Sequence, residues 1–215
     1  MTKCFIIFGT VFIGAAFCLS GCASRDSLNR QQQTFLLEIP ANAQRQPAAA
    51  GGTLKIRYCR ATAPFDGQYF LYRTQAGQYQ QDYYKQFLTP PNEQITEQLR
   101  VWLEQGRVLR NVLAASTATV TDYILEPHLL AMYADFSDPA APKTVLKMHF
   151  ILLKMNNAGQ SSTIVMDTTY DSKESFEKRT GGDIVKNYNS SLETIFTRLQ
   201  SDIAASLSKK ENLNE

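Results

Sequence analysis

Two periods of apolar residues alternate along the chain. Between residues 53 and 59, Leu54, Ile56 and Tyr58 interleave with Lys55, Arg57 and Cys59, the period of a half-buried strand. Ala63-Pro64-Phe65-Asp66-Gly67 breaks it. Residues 69–73 and 79–87 follow as aromatic-rich runs around Thr74-Gln75-Ala76-Gly77-Gln78, and glycine in so short a connection predicts a hairpin. The period then lengthens. Thr89-Pro90-Pro91 is a helix start, with Thr89 as cap and proline in the first turn. Ile95, Leu99, Trp102 and Leu103 recur at i, i+4, i+7 and i+8, which places Trp102 on a buried stripe opposite Glu93, Glu97, Arg100 and Glu104. Gly106 is positioned to end that helix.

Residues 108–113 read as a short strand and 114–121 as a loop. Residues 122–136 alternate through Tyr123, Leu125, Leu129, Ala131 and Tyr133, with Pro127 unable to donate to a central ladder. After the turn at 138–142 comes an apolar strand, 144–155; Asn156-Asn157-Ala158-Gly159 turns the chain again, and 162–170 pairs back. Short connections make this a three-stranded antiparallel meander. Residues 171–182 are charged and predicted to be flexible. Asp183 then caps a helix whose stripe is Ile184, Tyr188, Leu192, Ile195, Phe196, Leu199, Ile203 and Leu207, and the polar tail frays.

The N-terminus has a different pattern. Lys3 precedes an almost unbroken apolar run from Phe5 to Leu19, a signal-peptide pattern, and at about 15 residues it is shorter than a spanning helix needs. Leu19-Ser20-Gly21-Cys22 resembles the lipobox of bacterial lipoproteins, which implies a mature chain beginning at Cys22 and carrying lipid. The expected organisation is a cleaved signal peptide at 1–21, a lipidated N-terminus and polar tether at 22–34, a folded domain at 35–207 and a polar tail at 208–215. Fully extended, the tether reaches some 35 to 40 Å at about 3.3 Å per residue. Phe35-Leu36-Leu37-Glu38-Ile39-Pro40 is short enough for an edge strand ended by its proline, and 41–52 reads as a loop.

Charge and cysteine content narrow the picture. Of the formal charge of +2, Lys3 leaves with the signal, so the mature chain carries about +1. No whole-molecule field favours nucleic acid. Cys4 and Cys18 also leave and Cys22 is committed to lipid, so Cys59 is the remaining thiol and an intramolecular disulfide is excluded. Cys59 is read as a buried small hydrophobe.

The search for catalytic patterns is negative: the sequence has no GxSxG elbow, phosphate loop, HExxH or CxxC pair. Lys178-Arg179-Thr180-Gly181-Gly182 imitates a phosphate loop but lacks the following lysine, and its glycines read as loop hinges. Glu126 and His128 project from one strand face and His149 lies on the next strand, a geometry in which a metal site is conceivable, but they are read as partly exposed strand residues. No cofactor, metal site or catalytic residue is assigned. Tyr69, Phe70, Tyr72, Tyr79, Tyr83, Tyr84 and Phe87 crowd the hairpin. Aromatics favour strands for packing reasons alone, so core and cross-strand pairing stands beside a partner-facing or lipid-facing patch.

The order of these features resembles the ABC-type transport auxiliary lipoproteins, the lipoprotein partners of envelope lipid-transport systems built from a permease, an ATPase and an MCE-domain protein. The matching residues are Cys22; Phe35, Leu37 and Pro40; Ala63 and Pro64; Tyr72 and Arg73; Pro90 and Pro91; Asp122, Tyr123 and Leu125; and the helix from Ile184. They span nearly all the mature chain. Many members carry a tryptophan where this chain has Phe87, which fills a similar pocket but has no indole N–H to donate. The resemblance implies a single α+β domain, with two amphipathic helices on one face of a largely antiparallel sheet. It also implies a non-enzymatic adaptor held to the outer-membrane bilayer through acylated Cys22, facing the periplasm, binding an MCE-domain protein and able to form a homo-oligomer. Ala23, rather than Asp, after the acylated cysteine favours the outer membrane in lipoprotein sorting. A lipoprotein carrying its own apolar ligand is the alternative, with the aromatic hairpin lining the pocket.

Overall fold

The computed structural model describes residues 31–42, 50–156 and 159–211. Its elements in order are β1 (Gln33–Phe35), β2 (Ala50–Ile56), β3 (Arg60–Ala61), β4 (Tyr69–Gln75), β5 (Gln78–Phe87) and α1 (Pro91–Gln105). They continue with β6 (Leu109–Leu113), β7 (Tyr123–Asp135), β8 (Lys143–Asn156), β9 (Ser161–Ser175) and α2 (Gly181–Glu211). Cys22 and the expected signal peptide at 1–21 lie outside the described residues.

The expected meander is present as β7–β8–β9, paired antiparallel along almost its whole length. Outside the meander and the antiparallel β4–β5 hairpin, the pairings are short and parallel. Along its other edge β7 receives three segments in turn, all parallel: β2 at Tyr123 to Leu125, β3 at His128 and Leu129, and β4 at Ala134 and Asp135. The sheet then fans out, with β6 parallel to β2, β5 antiparallel to β4 and β1 parallel to β5. The result is a mixed nine-stranded sheet.

Pro127 is consistent with this arrangement despite lying in a central strand. Beside it, after a last bond from the Arg57 N–H to the Leu125 carbonyl at 2.9 Å, the neighbouring chain lifts off β7 at residues 58–59 and returns at Arg60. The backbone of Cys59, freed from the ladder, finds partners on α1. Its N–H donates to Thr96 Oγ1 at 2.9 Å and its carbonyl accepts from Asn92 Nδ2 at 3.0 Å. Cys59 is therefore buried between strands rather than within the strand predicted at 53–59.

Alternation decides which sheet face is covered. On β8, Thr144, Leu146, Met148, Phe150 and Leu152 are buried. On β7, Leu125 and Leu129 share that face, and after a bulge near residue 130 Met132 and Ala134 continue it. Both helices pack there through the predicted stripes, including Ile95, Leu99, Trp102 and Leu103 on α1 and Ile184 to Leu207 on α2.

Several termini differ from expectation. Pro90, not Thr89, is the N-cap of α1, and no side chain caps it; Thr89 instead offers its carbonyl to Gln94 Nε2 at 2.7 Å. Helix α2 starts at Gly181, with Thr180 Oγ1 accepting the Asp183 N–H at 3.1 Å, so Asp183 is the acidic partner of a capping pair rather than the cap. The stretch predicted to be flexible begins as strand, since β9 runs to Ser175, and α2 extends through the expected tail to Glu211. The tether boundary at 34 is also too late, because β1 already holds Gln33 and Thr34.

Residues 36–42 form a strap bonded to both helices. The Leu37 N–H donates to Gln94 Oε1 at 2.7 Å, and the Leu37 carbonyl accepts from Gln98 Nε2 at 3.3 Å. The Glu38 N–H donates to Asn189 Oδ1 at 3.1 Å. Asn42, buried, donates from its backbone to Gln105 Oε1 at 2.8 Å, and from Nδ2 to the Trp102 carbonyl at 3.0 Å and to Gln200 Oε1 at 2.6 Å. These side chains close over Gly106. The left-handed residue after α1 is Arg107, at φ 53°, while Gly106 has helical φ and is needed for a different reason. A Cβ there would lie 2.4 Å from Gln200 Oε1 and 2.7 Å from Asn42 Nδ2. Gly106→Ala is expected to cost about 1–3 kcal/mol by overpacking, read from urea denaturation midpoints. Gly67→Ala, where a Cβ meets nothing within 4 Å, is the control and should stay within about 0.5 kcal/mol of the parent.

Candidate functional site

The aromatic hairpin is divided between the two faces of the sheet. Phe70 and Phe87 point to the helices, with ring centroids 4.7 Å apart, and each is 3 % exposed. Tyr72 lies on the same side, edge-on to Phe136 at 5.4 Å, and donates its hydroxyl to Asp82 Oδ2 at 2.7 Å. Phe70 and Phe87 belong to the core, and Tyr72 is partly buried against it. The bulges between Tyr69 and Leu71 and between Arg73 and Gln75 set that parity. Tyr69, Tyr79, Tyr83 and Tyr84 remain exposed, Tyr83 most at 71 %.

The sheet face opposite the helices begins at the C-terminal end of β7. Tyr133 is edge-on to Tyr79 at 5.3 Å and stacked on Phe65 at 6.0 Å, with Phe65 supplied by the loop after β3. The Arg73 guanidinium lies 5.3 Å from the Tyr133 ring centre and forms a forked pair with Asp135, its neighbour in register. Ser137 adds two donors to Asp135 Oδ1, from N at 3.0 Å and Oγ at 2.6 Å. Burial opposes the charge on Asp135, yet Arg73 and Ser137 outweigh it and hold the carboxyl down to about 2. The sequence pattern set Tyr133 in one alternation with Leu125 and Leu129, but the bulge near residue 130 turns it to the opposite face, where it meets Phe65 and Arg73. In the sequence Arg73 is marked only as part of the Tyr72-Arg73 pair that carries the family resemblance.

Further along this face the histidines stand opposite each other, His128 against His149 in register. Each has its own partner: His128 Nε2 is 3.0 Å from Thr62 Oγ1, and His149 Nε2 is 2.7 Å from Asp167 Oδ1. Glu126 is taken by Arg57. Burial, then Arg60 and then His149, lower the His128 pKa. The structure brings Glu126, His128 and His149 onto one face but not around a common point, and no metal-holding group of His, Cys, Asp and Glu occurs among the described residues. Ile151, Leu153 and Ile164 lie in the adjoining positions of β8 and β9, with Ile164 59 % exposed.

Gly181 is a packing glycine rather than a ligand cradle, because a Cβ there would sit 2.5 Å from the Phe35 ring. The cavity beside the hairpin, lined by Phe70, Phe87, Met132 and Tyr188 among others, holds about 10 Å3. A larger groove of about 530 Å3 runs along β6, but its lining includes Glu104, Arg107, Arg110 and Asn111. Neither suits an acyl chain.

No family model matches the chain, and no curated protein matches it. Its fold is similar to that of protein XCC0632 from Xanthomonas campestris, a crystal structure described as DUF330. The TM-score is 0.70 at 14% identity, over 84% of this chain and 99% of that one. A second crystal structure, of an uncharacterized protein, matches with a TM-score of 0.57 at 16% identity, over 83% of this chain and 99% of that one. At these identities the likeness is one of fold: a single mixed α+β domain, with a large sheet and two helices.

Two expectations follow from the site. The folded pKa of Asp135 is below the ordinary carboxylate value of about 3.9. Its contribution to stability is therefore present above that value and lost as pH falls through about 2. Asp135→Asn should lose about 2 kcal/mol at pH 7, with the difference from the parent closing towards pH 2 in urea titrations. Burial pushes the Cys59 thiol up to about 12. Native protein should resist a maleimide at pH 8 and react only in guanidinium, as read by mass spectrometry.

Proposed function

We propose that this protein is a lipid-anchored, non-catalytic adaptor on the periplasmic face of the outer membrane, where it binds the MCE-domain protein of an envelope lipid-transport system. The observation that carries the reading is the one-sided use of the sheet. Two helices cover one face. The other presents Tyr79 and Ile164, with Ile151 and Leu153 half-buried between them, framed by the Arg73–Asp135 and Arg57–Glu126 pairs. Exposed apolar side chains on a rigid, hydrogen-bonded frame suit a protein partner, because little side-chain freedom remains to be lost on association. The identity of that partner rests on the family resemblance, and the anchor on Leu19-Ser20-Gly21-Cys22.

The lipid-carrier alternative calls for an enclosed apolar pocket of some hundreds of Å3. The hairpin was its expected lining, and the cavity there is about 10 Å3. The adaptor reading is favoured on that ground.

Capture of the acylated chain from envelope extracts in mild detergent should recover an MCE-domain protein, and the double variant Tyr79→Ser/Ile164→Asp should reduce the recovery. Consistent recovery of none by the parent chain would count heavily against the adaptor role.

A further inference from the structure

The edge of the sheet where the tether joins the domain has its own chemistry. Strand β1 runs parallel to β5 with Gln33 paired to Lys85, so the chain enters the sheet one residue past the level of Tyr84 and two past Tyr83. At the other end of the same short strand, the Leu88 N–H donates to the Phe35 carbonyl at 2.9 Å and brings Leu88 beside Leu36. Four large side chains thus sit exposed along one edge: Leu36 at 44 %, Leu88 at 56 %, Tyr83 at 71 % and Tyr84 at 45 %. Tyr69 packs edge-on to Tyr83 at 6.1 Å and widens the strip.

The strip carries almost no net charge. Residues 31–37 have no ionisable side chain, and within β5 the two charges, Asp82 and Lys85, are bonded to each other at 3.0 Å. Apolar leucines flanked by tyrosines, with the local charges already neutralised, match a bilayer interface, where an amphipathic ring places its body in lipid and its hydroxyl in the headgroups. The length and position of the preceding chain identify the occupant. Only ten residues separate Cys22 from Gln33, eleven steps spanning at most about 36 Å, and they arrive at this edge. We infer that the β1–β5 edge, through Leu36, Leu88, Tyr83 and Tyr84, rests on the lipid surface to which the chain is anchored. This rests on the lipidation reading of Cys22. It sets the orientation of the domain, with β9, at the far side of the sheet, turned away from the membrane.

The test uses acylated full-length protein on phosphatidylethanolamine/phosphatidylglycerol vesicles, with a nitroxide attached at Thr89→Cys, beside Leu88, or at Lys173→Cys on β9. Buried Cys59 is left unlabelled under native conditions. The label at 89 should lose access to an aqueous nickel chelate severalfold on vesicles, while the label at 173 keeps it. Adding Leu36→Ser, Tyr83→Ser and Leu88→Ser should restore access at 89, with the protein still held by its lipid. If the label at 89 stays fully accessible on vesicles while mass spectrometry finds Cys22 acylated, the strip does not touch lipid and the inference falls alone. Protection at 89 that survives the triple substitution would also overturn it, since the covering would then not be through these side chains. Absence of an acyl group from Cys22 would remove the anchor and the inference together. Protection at 89 in a protein that captures no MCE-domain partner would uphold the strip and reject the adaptor role.

Discussion

Strand β7 is the constraint on which the architecture depends, because both of its hydrogen-bonding edges must be satisfied along 13 residues. One edge is met by β8, which runs beside it throughout. The other is met piecewise by β2, β3 and β4, three short parallel segments arriving in chain order. Pro127, with no N–H to offer, stands where the first segment leaves and before the next arrives. The gap is then closed from the side by Asn92 and Thr96 of α1, so a break in the sheet becomes an attachment point for a helix.

The strap before β2 is held by the same kind of compensation. Its backbone makes few ladder bonds and depends instead on amide side chains from both helices, ending at the buried Asn42–Gln200 pair. Because that pair closes over Gly106, the helix end, the strap and the helix contact are one packed unit. If the chain is lipid-anchored as proposed, a load applied through its N-terminus would meet β1 first and this unit next.

The two sheet faces have different roles. The helix side is apolar and closed, and it gains its stability from burial. The open side is ordered by charge and aromatic contacts, with Asp135 kept ionised by Arg73 and Ser137 and Tyr133 held between Phe65, Tyr79 and Arg73. Such contacts hold a surface in shape without covering it, which the proposed adaptor role would use. The exposed leucines and tyrosines of the β1–β5 edge form a third surface, where the tether enters.

What the residue pattern determined by itself is local. The helix stripes through Trp102 and Phe196, the β7–β8–β9 meander, the β4–β5 hairpin and the burial of Cys59 were legible, because backbone geometry alone sets periods of 2 and 3.6 and short loops leave few choices of neighbour. The Leu19-Ser20-Gly21-Cys22 motif is read from the sequence without any fold and lies outside the described residues. Tertiary structure alone decided the five parallel pairings, each only two to four residues long and joining remote segments. It also decided that Gly106, which ends α1 as its C-cap, is needed there by the Asn42–Gln200 clasp, and that Phe70, Tyr72 and Phe87 turn inward while Tyr69, Tyr79, Tyr83 and Tyr84 stay outside. The physical reason is that strand bulges reverse side-chain parity and long-range pairing depends on how the whole sheet closes, and neither leaves a periodic trace in the sequence.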